Sequence, residues 1–482
     1  AHTRAIRNDH SCADARAASA RGTRMTNRSG AHGSFMGTPA TAPGPSGPEM
    51  FRAFSAIRGN PLGYLARVWR DHGDIVQFPI PRPPSYLVND PDAVRRVLVE
   101  EPRSYGKSTI QYRALSLVTG EGLLTSDADV WRRQRRMVQP AFHHETLAQL
   151  TNHVERSSSS VLADWERAGT GAIIDIDAAM MHATLEVVGH ALFGSDLSQD
   201  ASALADATLE ALDVVIARAR VPITPPGWIP TRANRRLAAS NSVLEGAVRR
   251  MIAERVHAQV RTHDMLDLLM EVRDEHGSGL AGEEIRNQMV TFIVAGHETV
   301  ASALTWAWAL LAAHPREQEA LQAELSQIVQ DAPLTIDDYP RLVRTRAVFD
   351  EALRLYPPAW LITRNALAAG ELAGREVPAG SLVIMSPWLL HRHPSLWRAP
   401  EEFRPSRFID EEVDRSSFLP FGAGPRMCIG RDFAYLEGVL MLARLASRFE
   451  VIYPVGEGVP AMDPLVTIRP AGGLKLRITR RA

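Results

Sequence analysis

A chain of 482 residues with 45% hydrophobic and 23% charged content has the make-up of an ordinary globular protein able to bury a large core. Its net charge of −1 argues against a nucleic-acid binder working through a broadly basic surface. With cysteines only at Cys12 and Cys428 a disulfide framework is not expected, and a reducing compartment, the cytoplasm, fits best. The longest apolar run, near Ala301 to Ala313, is too short and too mixed to span a bilayer, and neither a signal-peptide core nor a membrane anchor is evident.

In chain order, residues 1–48 stand apart. They are rich in Arg, Ala, Ser and Gly and poor in large apolar side chains, so they are expected to be a disordered or mis-assigned extension that includes Cys12. Residues 49–482 read as a single domain. Pro61 to Asp71 is periodic as a helix, and Ile75 to Phe78 and Tyr86 to Val88 read as short strands joined by a Pro-rich turn. Helical patterns with loops follow from Asp92 to Glu145, then longer ones over Leu147 to Trp165, Asp175 to Leu192, Ala201 to Ala219 and Arg235 to Arg261. Four prolines and a glycine between Pro222 and Pro230 mark a loop placed to act as a lid. Glu283 to Leu311 contains no proline and predicts an unusually long helix. Further strands are expected over Leu382 to Met385 and Lys475 to Ile478. The fold class is therefore mainly α with small β-sheets, without internal repeats.

The most distinctive stretch is Phe421-Gly422-Ala423-Gly424-Pro425-Arg426-Met427-Cys428-Ile429-Gly430. Glycines let the backbone bend so that amides face the sulfur, Arg426 adds positive charge, and an apolar helical run starts just behind. Each of these favours a thiolate. A lone cysteine cannot build a tetrahedral zinc site. At every fixed position, Phe-x-x-Gly-x-Arg-x-Cys-x-Gly is similar to the haem-ligand loop of the cytochrome P450 family. The resemblance extends from about Pro61 to the C-terminus and implies the P450 fold, haem b, and Cys428 as the iron ligand, with Phe421, Gly424 and Arg426 among the cofactor-binding residues.

Other motifs gain weight from that loop. In the middle of the long helix lies Ala295-Gly296-His297-Glu298-Thr299. Small residues admit a flat ligand, and the Thr299 hydroxyl can bond back to the Ala295 carbonyl and distort the helix. The stretch resembles the family's oxygen-activation motif, which implies catalytic roles for Glu298 and Thr299 in proton delivery and none for His297. Glu351 and Arg354, at i and i+3, can pair on one helix face. By the same resemblance Arg407 joins them in a structural network behind the loop. Trp131 and Arg135, at i and i+4, look like the family's Trp-x-x-x-Arg helix, which binds a haem propionate; Arg364 is a further candidate. Arg132, Arg133 and Arg136, with Arg431, are expected to form a basic patch for an acidic electron carrier.

Family topology assigns Tyr112, Leu115, Leu117, Ile293, Ala295, Ala359, Trp360, Leu361, Ile362, Leu465 and Val466 to the substrate pocket. Near absence of charge among them predicts a bulky apolar small molecule. Gln111 to Ser116, Val294 to Trp306 and Leu355 to Trp360 look like the bacterial P450 group that hydroxylates carotenoid rings, which implies a carotenoid or related terpenoid. The expected activity is haem-thiolate monooxygenation with electrons from a separate ferredoxin or flavodoxin and its reductase, since the stretch after Cys428 is too short for a flavin domain. A peroxide-driven peroxygenase and a non-enzymatic haem-binding or sensing protein are the alternatives.

Overall fold

The computed structural model describes residues 40–80, 83–142, 144–195, 201–219, 225–258, 264–329, 332–414 and 416–481. Most of residues 1–48 and the segment 259–261 of the expected Arg235 to Arg261 helix lie outside them, as does part of the expected lid. The rest of that loop is pinned where Asn234 Nδ2 donates to the carbonyls of Pro226 (2.8 Å) and Ile229 (2.6 Å).

The body begins earlier than residue 49. Thr41 N–H donates to Gln77 Oε1 at 2.7 Å, the Gln77 amide donates to the Pro43 carbonyl at 2.8 Å, and Ala42 is buried. Ser46 and Glu49 then form a capping box for the helix Gly47–Arg52. The composition change at Pro48 therefore misses a short strap that is already part of the fold.

Helices make up most of the body. Pro61–His72 starts behind Asn60, whose Oδ1 accepts from Gly63 N at 2.9 Å, and stops at Gly73 with φ of 90°. His144–Ala168, Ile176–Phe193, Ala201–Ala219 and Arg232–Ala258 follow. The long helix Gly282–Ala313 carries Glu283 and Glu284 in its first turn, where acidic groups suit the helix dipole, and the Ala281 amide donates to Glu284 at 2.9 Å. It is buried along most of its length against Ile176–Phe193, Val343–Leu355 and the helix behind the cysteine, Arg431–Arg448.

The five-stranded sheet has the order Ile75–Phe78, Ser85–Val88, Leu382–Met385, Ile362–Ala366, Tyr105–Gly106. Only Ser85–Val88 against Leu382–Met385 is parallel, with Ser85 opposite Leu382. A second sheet joins Ile173–Asp175, Lys475–Arg480 and Phe449–Ile452, and the hairpin Met462–Pro464/Ile468–Pro470 presents the turn Leu465 to Thr467 to the interior. The mainly α architecture with small sheets is as the sequence predicts.

Candidate active site

The cysteine loop is a tight turn closed by Cys428 N–H to Phe421 O at 3.0 Å, and Arg431–Arg448 begins three residues after the sulfur. Gly422 and Gly424 take φ of 67° and 69°, and a Cβ on Gly424 would lie 1.9 Å from the Leu98 carbonyl oxygen. Only glycine fits there. Cys428 is accessible, yet burial pushes its thiol up, against the opposing pull of the Gly430 N–H, Arg135 and Arg431. Both hold if the sulfur faces an interior recess rather than bulk water. Arg135 donates to the Met427 carbonyl at 3.0 Å, so its guanidinium is engaged on the thiolate loop.

Behind the loop, Glu351, Arg354 and Arg407 form a buried network. Arg354 grips Glu351 with two bonds of 2.7 and 2.9 Å, and Arg407 Nε reaches the same carboxylate at 3.0 Å. Their remaining N–H groups are used on the carbonyls of His391, Pro400, Glu402, Arg398 and Ala399. This is the bidentate geometry in which a buried charge pair is tolerated. His391 carries the network forward: its Nε2 accepts from Leu419 N–H at 2.8 Å, and its Nδ1 faces the Arg354 carbonyl at 3.1 Å. Burial pulls this imidazole down to about 3, so it is neutral and held in one tautomer. Sequence reasoning missed His391, which stands in no motif.

A second cluster gathers cations. Arg426 lies 4.2 Å over the Trp131 ring, donates to the Ser126 carbonyl at 2.9 Å and pairs with Asp127. Lys107, also absent from the sequence reading, has its ammonium 4.2 Å from the Tyr112 ring centre and bonded to the Leu124 carbonyl. Burial, then Arg364 and Arg426, pull Lys107 well below the usual lysine range, and burial pulls Arg426 down to about 10. Buried Lys107 and Arg364 and half-buried Arg426 thus repel one another, with Asp127 as a carboxylate acting on Lys107 and Arg426. That arrangement is costly unless a dianionic group completes it. Haem, with two propionates and an iron needing a thiolate, fits both the cation cluster and the recess at Cys428.

Within the buried middle of the long helix, Ala295, Gly296 and Thr299 keep some accessibility. Thr299 Oγ1 donates to the Ala295 carbonyl at 2.8 Å, the back-bond expected from the spacing. A Cβ on Gly296 would press on Val188 at 3.0 Å, so this glycine permits close approach of Ile176–Phe193. Glu298 is buried, its carboxylate accepts from Thr467 Oγ1 at 2.5 Å, and burial pushes it up. His297 bonds the Ile293 carbonyl, and burial pulls it down to about 4.

The pocket set needs correction. Leu117 is 42% exposed on the outer side of its helix, and Ile293 is fully buried. Each sits two positions from a residue in the expected set, and positions i and i+2 do not share a helix face. Trp360 is buried and ties two segments together, donating Nε1 to the Leu465 carbonyl at 2.9 Å. Ile362 packs 3.8 Å from where a Gly422 Cβ would lie. Ala359, Leu361, Leu465 and Val466 keep accessible surface, while Leu115 and Tyr112 are buried, Tyr112 facing the Lys107 ammonium.

The expected basic patch also differs. Arg133 is locked by Asp274 (2.8 Å), Glu284 (2.9 Å) and the Gly279 carbonyl, Arg136 pairs with Glu275 (3.1 Å), Arg132 with Asp129, and Arg431 with Asp432 (2.8 Å). These arginines are spent within the chain. Beside the cysteine loop lies a hollow of about 1040 Å³ whose lining includes Leu98, Phe421, Met427 and Tyr435 together with Arg95, Arg346, Arg431, Asp337 and Asp432.

Comparison with known proteins agrees with this geometry. The cytochrome P450 family model matches residues 42–476. Cyclooctatin synthase of Streptomyces melanosporofaciens is 38% identical over 81% of this chain and 85% of its own length. Pentalenene oxygenase of Streptomyces avermitilis is 32% identical over 92% of this chain and 97% of its own. The crystal structure of CYP175A1 from Thermus thermophillus superposes with a TM-score of 0.72 at 32% identity, covering 90% of this chain and 98% of that one. The cysteine loop, the buried cations awaiting a dianion and these matches lead to one conclusion: the chain belongs to the cytochrome P450 family and is a haem-thiolate monooxygenase.

Proposed function

We propose that the chain inserts one oxygen atom into a C–H bond of a bulky, apolar, cyclic terpenoid, with carotenoids among the candidates. The observation that carries the substrate class is that Ala295, Ala359, Leu361, Leu465 and Val466, which the family resemblance assigns to the pocket, are all uncharged and keep accessible surface. Relatives named for pentalenene and for cyclooctat-9-en-7-ol, the latter 36% identical over 86% of this chain, support it.

Haem, when bound, supplies the electron and dioxygen chemistry, and thiolate ligation favours O–O cleavage. The chain's own residues do the rest. Cys428 holds the iron. Lys107, Arg364 and Arg426 are the cations that would neutralise the propionates, with Trp131 beneath Arg426. Arg135 supports the thiolate side through the Met427 carbonyl. Thr299 and Glu298 hold and pass protons, and the apolar lining orients the substrate and excludes water. Electrons come from a separate ferredoxin or flavodoxin with its reductase, docking at the hollow beside the cysteine loop, whose lining includes Phe421 and Met427. The cytoplasm is the compartment we assign, on cysteine usage; among the described residues no helix is long and apolar enough to cross a membrane.

A panel of terpenes, carotenoids, steroids and fatty acids read by the haem spin-state shift tests the substrate class. Terpenoids should give the largest shift, and a response confined to fatty acids would overturn it. The reduced carbon-monoxide spectrum should show the red-shifted thiolate band and lose it in Cys428→Ala.

A further inference from the structure

The carboxyl assigned to proton delivery is held by a residue outside the long helix. Glu298 is 3% exposed, and its hydrogen-bond partner, Thr467, is also 3% exposed. Thr467 closes the turn that begins with Leu465 and Val466, two residues of the apolar lining. That turn is internally tied by Leu465 N–H to Thr467 O at 3.0 Å, and externally by Trp360 Nε1 to Leu465 O at 2.9 Å. The Glu298 carboxylate therefore hangs from the same turn against which a ligand would press.

The charged surroundings come from two further elements. Arg469, two residues after Thr467, is 7% exposed and pairs with Asp177 at the start of Ile176–Phe193. Arg469 favours the ionised Glu298, and Asp177 opposes it. Asp177 also accepts from Thr305 Oγ1 at 3.4 Å, two turns beyond Glu298 on the same face of the long helix. His297, next in the chain, is neutral above about 4. Glu298 thus has one direct hydroxyl donor and one nearby cation, itself already paired.

We propose that Thr467 is a positioning residue that holds the Glu298 carboxyl in its retracted place, and that the turn Leu465 to Thr467 makes this hold responsive to what occupies the pocket. A ligand displacing Leu465 and Val466 loosens the Thr467 hydroxyl, and the carboxyl becomes free to turn toward Thr299. Proton delivery is then tied to an occupied pocket, which protects an empty site from wasteful electron consumption. No bond to oxygen or carbon forms in this step; a hydrogen bond is exchanged and the proton stays on the carboxyl until delivery. The inference rests on Glu298 acting as the proton donor.

The test is the infrared carboxyl band of Glu298, identified as the one absent in Glu298→Gln. It is measured in the substrate-free protein and in the protein saturated with the terpenoid of largest spin-state shift. In Thr467→Val the band should shift and its titration move to higher pH, because a hydrogen bond to the ionised form is lost. Thr467→Ser should restore both. Terpenoid should move the wild-type band toward its position in Thr467→Val and leave that of the variant unmoved. NADH consumed in the absence of terpenoid should rise several-fold in Thr467→Val, because the carboxyl is released without a ligand. A band, titration and substrate-free NADH consumption unchanged in Thr467→Val would overturn the proposal, as would a terpenoid response equal in both proteins. Should valine disturb the turn, Thr467→Ala, which only removes atoms, carries the same measurements. If Glu298→Gln leaves coupling unchanged, the donor role fails by itself; the band shift still reports whether Thr467 holds the carboxyl.

Discussion

Lys107 is the residue that would complete the proposed propionate site, which motifs describe only in part. Its ammonium is buried among Arg364, Arg426 and one carboxylate, and among the described residues it bonds a carbonyl and faces an aromatic ring. Lys107→Met should lower the haem-to-protein ratio after purification, with a binding loss of about 1.5–3 kcal/mol, the usual worth of a hydrogen bond to a charged group. A ratio equal to that of wild type would remove it from the cofactor's anchors. Cys428, Trp131, Arg426 and Thr299 were legible because fixed spacings carry them. Lys107 and His391 were not, since a buried lysine or histidine leaves no periodic trace. Leu117 and Ile293 were misplaced for a different reason. Apolar identity was read without helical phase, and phase puts them on the wrong faces.

At the scale of elements, the cysteine loop depends on two contacts remote in sequence. Arg407 and Arg354 share Glu351 behind it, all at 0–1% side-chain exposure. Arg407→Leu leaves Glu351 paired with Arg354 but removes one charged donor from its carboxylate and strips the Arg398 and Ala399 carbonyls of theirs, and a loss of about 1.5–3 kcal/mol is expected in denaturant unfolding. In front, Gly424→Ala meets both a positive φ and the Leu98 carbonyl. It should reduce haem incorporation, while Gly456→Ala, which also has a positive φ but no atom within 4 Å, should cost only stability. The elements themselves were read well from sequence where periodicity or caps mark them, as in Pro61–His72, Ala201–Ala219 and Leu382–Met385. Sheet order was beyond reach: the parallel neighbour of Ser85–Val88 lies almost 300 residues away, and nothing local encodes the pairing.

For the whole molecule, one buried acid sets a pH dependence of stability. Glu437 is fully buried in Arg431–Arg448, neither oxygen has a hydrogen-bond partner among the described residues, and burial raises it well above the ordinary carboxylate range. Its folded form keeps the proton while the unfolded form releases it. Stability should therefore fall as pH rises from the ordinary carboxylate value toward the raised one. Glu437→Gln should flatten that decline between mildly acid and neutral pH in thermal unfolding, and an unchanged slope would show that another group is responsible.

The strap at the start of the body has a consequence for solubility. Ile75–Phe78 is the outer strand of the five-stranded sheet, and the Pro43 carbonyl takes its Gln77 amide. A strand edge with free amides is a template on which a second chain can pair. Proteolytic trimming past Pro43 would uncover that edge, and the trimmed protein should self-associate at concentrations where the intact chain stays dispersed.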